Sequence, residues 1–167
     1  MCLTLTPPPI PQDAVYTSYY CEENIYLLAQ SFSTDPDIIG TWDIFVVFIS
    51  NSNKKVALWC QKLASAPQWP VVWDYHVVLV LRPRDHVLPR NAPEADGVTV
   101  LDGRTRSWTY DFDTCLDVPC TLQDYLNKTF EEVSVEFQSL FRVVPCSMYL
   151  NHFASDRSHM VRSSPFF

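Results

Sequence analysis

The sequence predicts a single α+β domain (α/β in the broad sense), an antiparallel sheet packed with helices. Apolar runs of strand length, Ile44 to Ser50, Val56 to Leu63, Val71 to Leu81 and Trp108 to Asp113, are bounded by turn signals. Around them lie stretches with helical spacing, of which Cys21, Asn24, Ile25 and Leu28 form the clearest. The 167 residues are 47% hydrophobic and 19% charged, which gives enough apolar material for one core without disulfide staples.

In chain order, Pro7-Pro8-Pro9-Ile10-Pro11 excludes helix and interior strand, so residues 1–12 are expected to be a disordered tail and 13–167 the domain. The first helix should run from about Cys21 to Gln30, with Ser18 as its candidate cap and Pro36 beyond its end. Asn51-Ser52-Asn53 reads as a turn, making Val56 to Leu63 the hairpin partner of Ile44 to Ser50. Val71 to Leu81 reads as one long buried strand. Residues 82–107, rich in proline and charge and with Asp102-Gly103 as a tight turn, read as a surface insertion. Thr121 begins a second helix, with Asp124 three residues on as in a capping box and Leu122, Tyr125, Leu126 and Thr129 as its apolar face. A helical stretch over Glu131 to Gln138, a strand over Phe141 to Val144 and a short helix over Pro145 to Phe153 complete the set.

Composition removes several function classes. Glycine occurs three times and no GxGxxG or Walker pattern is present, which argues against a phosphate-cradling loop. The net charge of −7 repels nucleic acid and anionic lipid. The longest apolar run, Ile44 to Ile49, is far too short to span a bilayer. Six cysteines at irregular spacing follow an N-terminus with no basic start or apolar segment. Free thiols in the cytoplasm, or also the nucleus, and a monomeric chain are therefore expected.

The chemistry sits in three segments: Tyr20-Cys21-Glu22-Glu23-Asn24, Trp73-Asp74-Tyr75-His76 and Tyr110-Asp111-Phe112-Asp113. They offer a thiol, an imidazole and a carboxylate on three different elements. A sulfur nucleophile needs a base to take its proton, and that base needs a carboxylate to fix its tautomer. Cys21 falls in the first turn of its helix, where unpaired N–H groups and the macrodipole favour an anion; equally, it opens the buried stripe Cys21-Ile25-Leu28. Strand alternation puts Asp74, His76, Val78 and Val80 on one face, so Asp74 is one candidate partner for the histidine. Asp111 and Asp113 share a face of the next strand and are two more, unless the strand ends there and both are solvated turn residues. Residue chemistry alone leaves the three carboxylates undecided.

The order thiol, imidazole, carboxylate is that of papain-like and transglutaminase-like cysteine hydrolases, a fold-level analogy. The segments themselves are more specific. Together with Val46 to Asn51, Val72 to Val78, Tyr110 to Thr114, Phe141 to Val143 and Phe153-Ala154-Ser155-Asp156-Arg157-Ser158-His159-Met160, they resemble the protein N-terminal glutamine amidohydrolase family in the right order across residues 19 to 160. The resemblance implies a triad of Cys21, His76 and Asp111, no metal and no cofactor. It also implies hydrolysis of the side-chain amide of an N-terminal glutamine through a thioester, with the product glutamate entering an N-degron pathway. Glu22, Glu23, Asp74 and Asp113 are the acidic candidates to receive the substrate's α-ammonium. Two departures from the family stand out: residues 82–107 look longer than its usual connection, and its C-terminal tail looks missing beyond Phe167. The rival expectations are another thiol hydrolase of transglutaminase or papain type, a zinc module built on Cys115, Cys120, His152 and His159, and a non-catalytic truncated remnant.

Overall fold

The computed structural model of the chain describes residues 5–87 and 106–153. Its centre is a five-stranded sheet in which every pairing is antiparallel, with strand order β6-β5-β4-β1-β7. The two longest strands form its spine: β1 (Trp42–Ser50) and β4 (Tyr75–Pro83), nine residues each, pair along their whole length from Trp42↔Pro83 to Ser50↔Tyr75. β5 (Trp108–Tyr110) and β6 (Cys120–Thr121) extend the sheet beside β4, and β7 (Leu140–Pro145) closes the other edge beside β1.

Each face of the sheet has its own core. On one side, α1 (Cys21–Thr34) lays Ile25, Leu28, Ala29 and Phe32 against Ile44, Val46, Val77, Leu79 and Leu81, joined by Cys146 and Tyr149 of α4 (Cys146–His152). This stripe is why the helix forms here, each large side chain contributing about 1.5–3 kcal/mol by leaving water. On the other side, Ile49, Val78 and Val80 meet Val56 and Leu58 of β2 (Val56–Leu58), Trp73 of β3 (Val71–Trp73) and Tyr125 of α3 (Leu122–Thr129).

Several sequence expectations change. The first helix runs on to Thr34, and Pro36 opens α2 (Pro36–Thr41) at its first position, with the Asp35 carboxylate accepting from the N–H of Asp37 and Ile38. Proline is favoured at that position because its missing N–H would have no helical partner. The Asn51 turn exists, its side chain bridging Lys55, Glu136 and Gln138, but the chain leaving it does not return along β1. Val56–Leu58 pairs with β3 instead, because both sides of β1 are taken by β4 and β7. The single strand expected over Val71 to Leu81 breaks at Asp74, whose carboxylate accepts from the Tyr75 N–H. That bend sends β3 and β4 to different sheets.

Thr121 caps α3 as expected, accepting from the Asp124 N–H. Glu131 to Gln138 contains only a 3₁₀ turn at Val135–Phe137. Residues 5–12 carry no helix or strand, yet they are not a free tail: the Pro8 carbonyl accepts 2.6 Å from the Tyr110 hydroxyl, and Leu5 and Ile10 pack on the core. The Asp102-Gly103 turn and the segment from Ala154 onward lie outside the described residues, as does most of 82–107. Among the described residues no helix is long and apolar enough to cross a membrane.

The buried and outer faces of α1 predict opposite responses to truncation. Phe32→Ala should cost about 3–5 kcal/mol in urea unfolding, whereas Leu27→Ala, 48% exposed on the outer face, should stay within about 0.5 kcal/mol. Equal losses would contradict this packing.

Candidate active site

Two elements deliver the thiol and the imidazole to the same end of the sheet. Cys21 is the first residue of α1 and His76 the second of β4. By strand alternation His76 sides with Val78 and Val80, away from the α1 face, and the Trp73 ring stacks on it at 5.0 Å. Cys21 lies in the core on the α1 side, yet its side chain and that of His76 interact.

The start of α1 is held by two side chains, Asn24 and Tyr149. No side chain caps it, Ser18 included; the N-cap is Tyr20, preceded by Tyr19 at φ 68°. Asn24 substitutes for a cap by gripping the approaching chain: its Nδ2 donates to the Thr17 carbonyl at 2.7 Å and its Oδ1 accepts from the Thr17 N–H at 2.9 Å. The Tyr149 hydroxyl of α4 donates to the Glu22 carbonyl at 2.7 Å. As the first residue of the helix, Cys21 carries an N–H outside the helical hydrogen-bond ladder.

Of the three carboxylates, Asp111 is the one hydrogen-bonded to the imidazole. His76 Nε2–H donates to Asp111 Oδ1 at 2.9 Å, both residues being essentially inaccessible to solvent. β5 ends at Tyr110, so Asp111 and Asp113 are not strand residues; they lie in the turn that follows, and both are buried, not solvated. The shared strand face is thereby corrected, while of the second alternative the strand end and turn hold and only the solvation is overturned. Asp111 Oδ1 also accepts from the Asp113 N–H at 2.9 Å, while Oδ2 accepts from the Tyr125 hydroxyl at 2.8 Å and the Gln61 amide at 3.4 Å. A carboxylate with four donors stays ionised in a dry site. Burial pushes its pKa up, but the His76 charge and hydrogen bond, with those of Asp113 and Tyr125, hold it below the usual value. For His76 burial disfavours the cation, and the Asp111 charge and hydrogen bond, aided by Cys21, outweigh it and raise the imidazole well above its ordinary pKa.

The contact uses Nε2 of the ring. Nδ1 is buried and has no hydrogen bond of ordinary geometry within the described residues. It is the nitrogen left for the thiol side.

The other four acidic candidates separate. Asp74 is exposed and tied to its own strand's backbone. Asp113 is buried, with Oδ1 accepting 2.5 Å from the Tyr16 hydroxyl. Glu22 and Glu23 are half-buried in the first turn of α1. Glu22 interacts with Tyr75, whose phenol is pushed up by burial first and then by Glu22 and Cys21, so carboxylate and thiol act on the same phenol.

Donor atoms of His76, Asp111 and Asp113 lie within 4.8 Å of one another, a spacing that could gather a cation. His76 Nε2 and Asp111 Oδ1 pair with each other and Asp113 Oδ1 takes the Tyr16 hydroxyl, while His76 Nδ1 and Asp113 Oδ2 make no hydrogen bond of ordinary geometry among the described residues. Cys115, Cys120 and His152 do not cluster as metal ligands within the described residues, and His159 lies outside them, as does the Asp156-Arg157-Ser158-His159 group.

Gln61 and Tyr125 are the residues that sequence reasoning missed. Tyr125 was legible as part of the apolar face of α3, but nothing in that pattern says where its hydroxyl points. Gln61 fell inside an expected strand, and only its polarity in an apolar stretch was a signal.

Residues 16–167 match the family model described as N-terminal glutamine amidase. The chain is 37% identical over 163 residues to a protein N-terminal glutamine amidohydrolase of Arabidopsis thaliana, covering 93% of this chain and 66% of that protein. It is 39% identical to the Bos taurus protein of the same name over 158 residues, 92% of this chain and 66% of that one, and 37% identical to the Homo sapiens protein over 158 residues. The chain thus spans about two thirds of the length of these relatives. With a family match across nearly the whole sequence, the chain belongs to the N-terminal glutamine amidase family.

Proposed function

We propose that this chain hydrolyses the side-chain amide of an N-terminal glutamine, releasing ammonia and leaving an N-terminal glutamate, with Cys21, His76 and Asp111 as its catalytic residues. The observation that carries the reading is the buried Asp111–His76 pair beside the Cys21 thiol, in a chain of this family. His76 Nδ1 takes the thiol proton, and the thiolate adds to the amide carbon. The resulting oxyanion needs hydrogen-bond donors, and the Cys21 N–H at the helix start is suited to be one. The imidazolium returns its proton to the departing ammonia, leaving a γ-glutamyl thioester. The same nitrogen then activates the water that hydrolyses it. Asp111 keeps the proton on Nε2, the tautomer that leaves Nδ1 free as a base, and stabilises the cation when it forms.

Glu22 is the carboxylate best placed for the substrate's α-ammonium, since it acts on the same phenol, Tyr75, as Cys21 does. An acidic group there penalises an acetylated terminus and an internal glutamine, which would leave it unpaired. In this reading the chain acts as a monomer with free thiols in the cytoplasm or nucleus, without cofactor, and its product glutamate is the entry point of an N-degron pathway.

Ammonia release from a peptide with a free N-terminal Gln, beside its acetylated twin and an N-terminal Asn analogue, tests the specificity. Turnover should be confined to the first, and equal turnover of all three would reject it. Cys21→Ala should lower that turnover by roughly 10⁴-fold or more with the unfolding midpoint retained, whereas surviving activity would place the nucleophile elsewhere.

Tyr125→Phe removes one donor from Asp111 and should cost about 1–3 kcal/mol, divided between stability and kcat. An unchanged kcat and an unchanged unfolding midpoint would mean the hydroxyl does nothing for the pair.

The pair also sets a pH window. Asp111 is depressed from 3.8, so its contribution is present above that pH and fades as pH falls through the lower folded value. His76 is raised from 6.5, so its contribution is complete below that pH and is lost as pH rises through the higher folded value. The stability gap between the unmodified chain and Asp111→Asn should therefore be widest between about pH 4 and pH 6.5. A gap that grows steadily into alkali would contradict the pair.

A further inference from the structure

Outside the catalytic cluster, two cysteines occupy opposed backbone positions across an isolated bridge. Gln61 and Thr114 form an isolated antiparallel bridge, and its two hydrogen bonds run from Cys115 N–H to Cys60 O at 2.6 Å and from Lys62 N–H to Asp113 O at 2.7 Å. That register sets Cys60 directly opposite Cys115. In regular antiparallel strands a hydrogen-bonded pair stands about 5.5 Å apart at Cα, inside the 4.4–6.8 Å range typical of disulfides, and here one bond of that pair, Cys115 N–H to Cys60 O, is formed. Cys60 is held there in the left-handed region, φ 52°, with the Thr114 hydroxyl also donating to its carbonyl at 3.1 Å.

The remaining described cysteines lack this arrangement. Cys21 belongs to the catalytic cluster. Cys146 is buried in α4, its thiol directed at the Ala29 carbonyl. Cys120 stands opposite Thr109 in β6. Cys115 is exposed and Cys60 half-buried, and both are free thiols.

We propose that Cys60 and Cys115 are a thiol-oxidation site that closes to a disulfide when a low-molecular-weight disulfide such as oxidised glutathione is present. The exposed Cys115 attacks the glutathione disulfide as its thiolate, forming a mixed disulfide and releasing one glutathione thiol. Cys60, as its thiolate, then attacks the Cys115 sulfur and releases the second. The protein loses two protons and two electrons; the small disulfide gains both and becomes two thiols. The bond would clamp the segment that presents Gln61 to Asp111 and the Asp113 carbonyl to Lys62, although the proposal stands apart from the amidase reading.

The test is to equilibrate the folded full-length chain with excess oxidised glutathione, block remaining thiols with iodoacetamide, digest without reductant and analyse by mass spectrometry. The expected result is a Cys60–Cys115 linked peptide pair that dithiothreitol removes, together with a melting temperature several degrees above that of the reduced chain, because a loop of this length is closed. Cys60→Ser should arrest the reaction with glutathione on Cys115, and Cys115→Ser should abolish the cross-link. Recovery of both cysteines alkylated or separately glutathionylated, or of Cys115 linked to Cys120, would overturn the proposal.

Discussion

The buried hydrogen bond between His76 and Asp111 is the constraint around which this end of the molecule is arranged. An ionised carboxylate and an imidazole have both been taken out of water, a step that costs several kcal/mol per ion unless the remaining lone pairs and protons are satisfied. The fold meets that demand with four donors on one carboxylate: the His76 ring, the Asp113 backbone, the Tyr125 hydroxyl and the Gln61 amide. Those donors come from β4, the turn after β5, α3 and the segment after β2. A single charge pair thereby ties four parts of the chain together, and no one of them could hold it alone.

The same pair explains why the secondary structure stops where it does. Continuing β5 beyond Tyr110 would aim Asp111 along a strand and spend its neighbour's N–H on a sheet ladder. Ending the strand lets the carboxylate fold back to accept that N–H. The bend at Asp74 has a parallel effect: it frees β3 to cover the second face, where Trp73 lies flat on the imidazole and screens it from solvent. On the first face, α1 begins without a side-chain cap, and the Asn24 amide holds the entering chain instead. The thiol is presented at the helix start as a consequence.

Much of this was legible in the sequence, for identifiable reasons. α1, α3, α4, β1 and β7 follow from period and turn chemistry, signals that local sequence carries without reference to the rest of the chain. Strand partnership was not legible: Val56–Leu58 looks like a hairpin return, and only the competing nine-residue pairing of β1 with β4 sends it to another sheet. Pro36 was read as punctuation when it was a helix start, because proline marks both. In the site, residue types suggested thiol, imidazole and acid, yet Asp74, Asp111 and Asp113 are chemically equivalent and only three-dimensional placement, or family resemblance, separates them. Burial sets Asp74 apart in solvent, and of the two enclosed carboxylates only Asp111 hydrogen-bonds the His76 ring while Asp113 takes the Tyr16 hydroxyl. Which imidazole nitrogen meets the acid depends on ring orientation, for which the sequence holds no signal.

The most direct test of this account is a ¹⁵N NMR titration of the His76 ring in the full-length chain. The imidazole should remain protonated well above pH 6.5, with Nε2–H strongly shifted by its acceptor, and Asp111→Asn should bring the midpoint down sharply. A midpoint at or below 6.5 in the unmodified chain, indifferent to the Asp111 substitution, would contradict it.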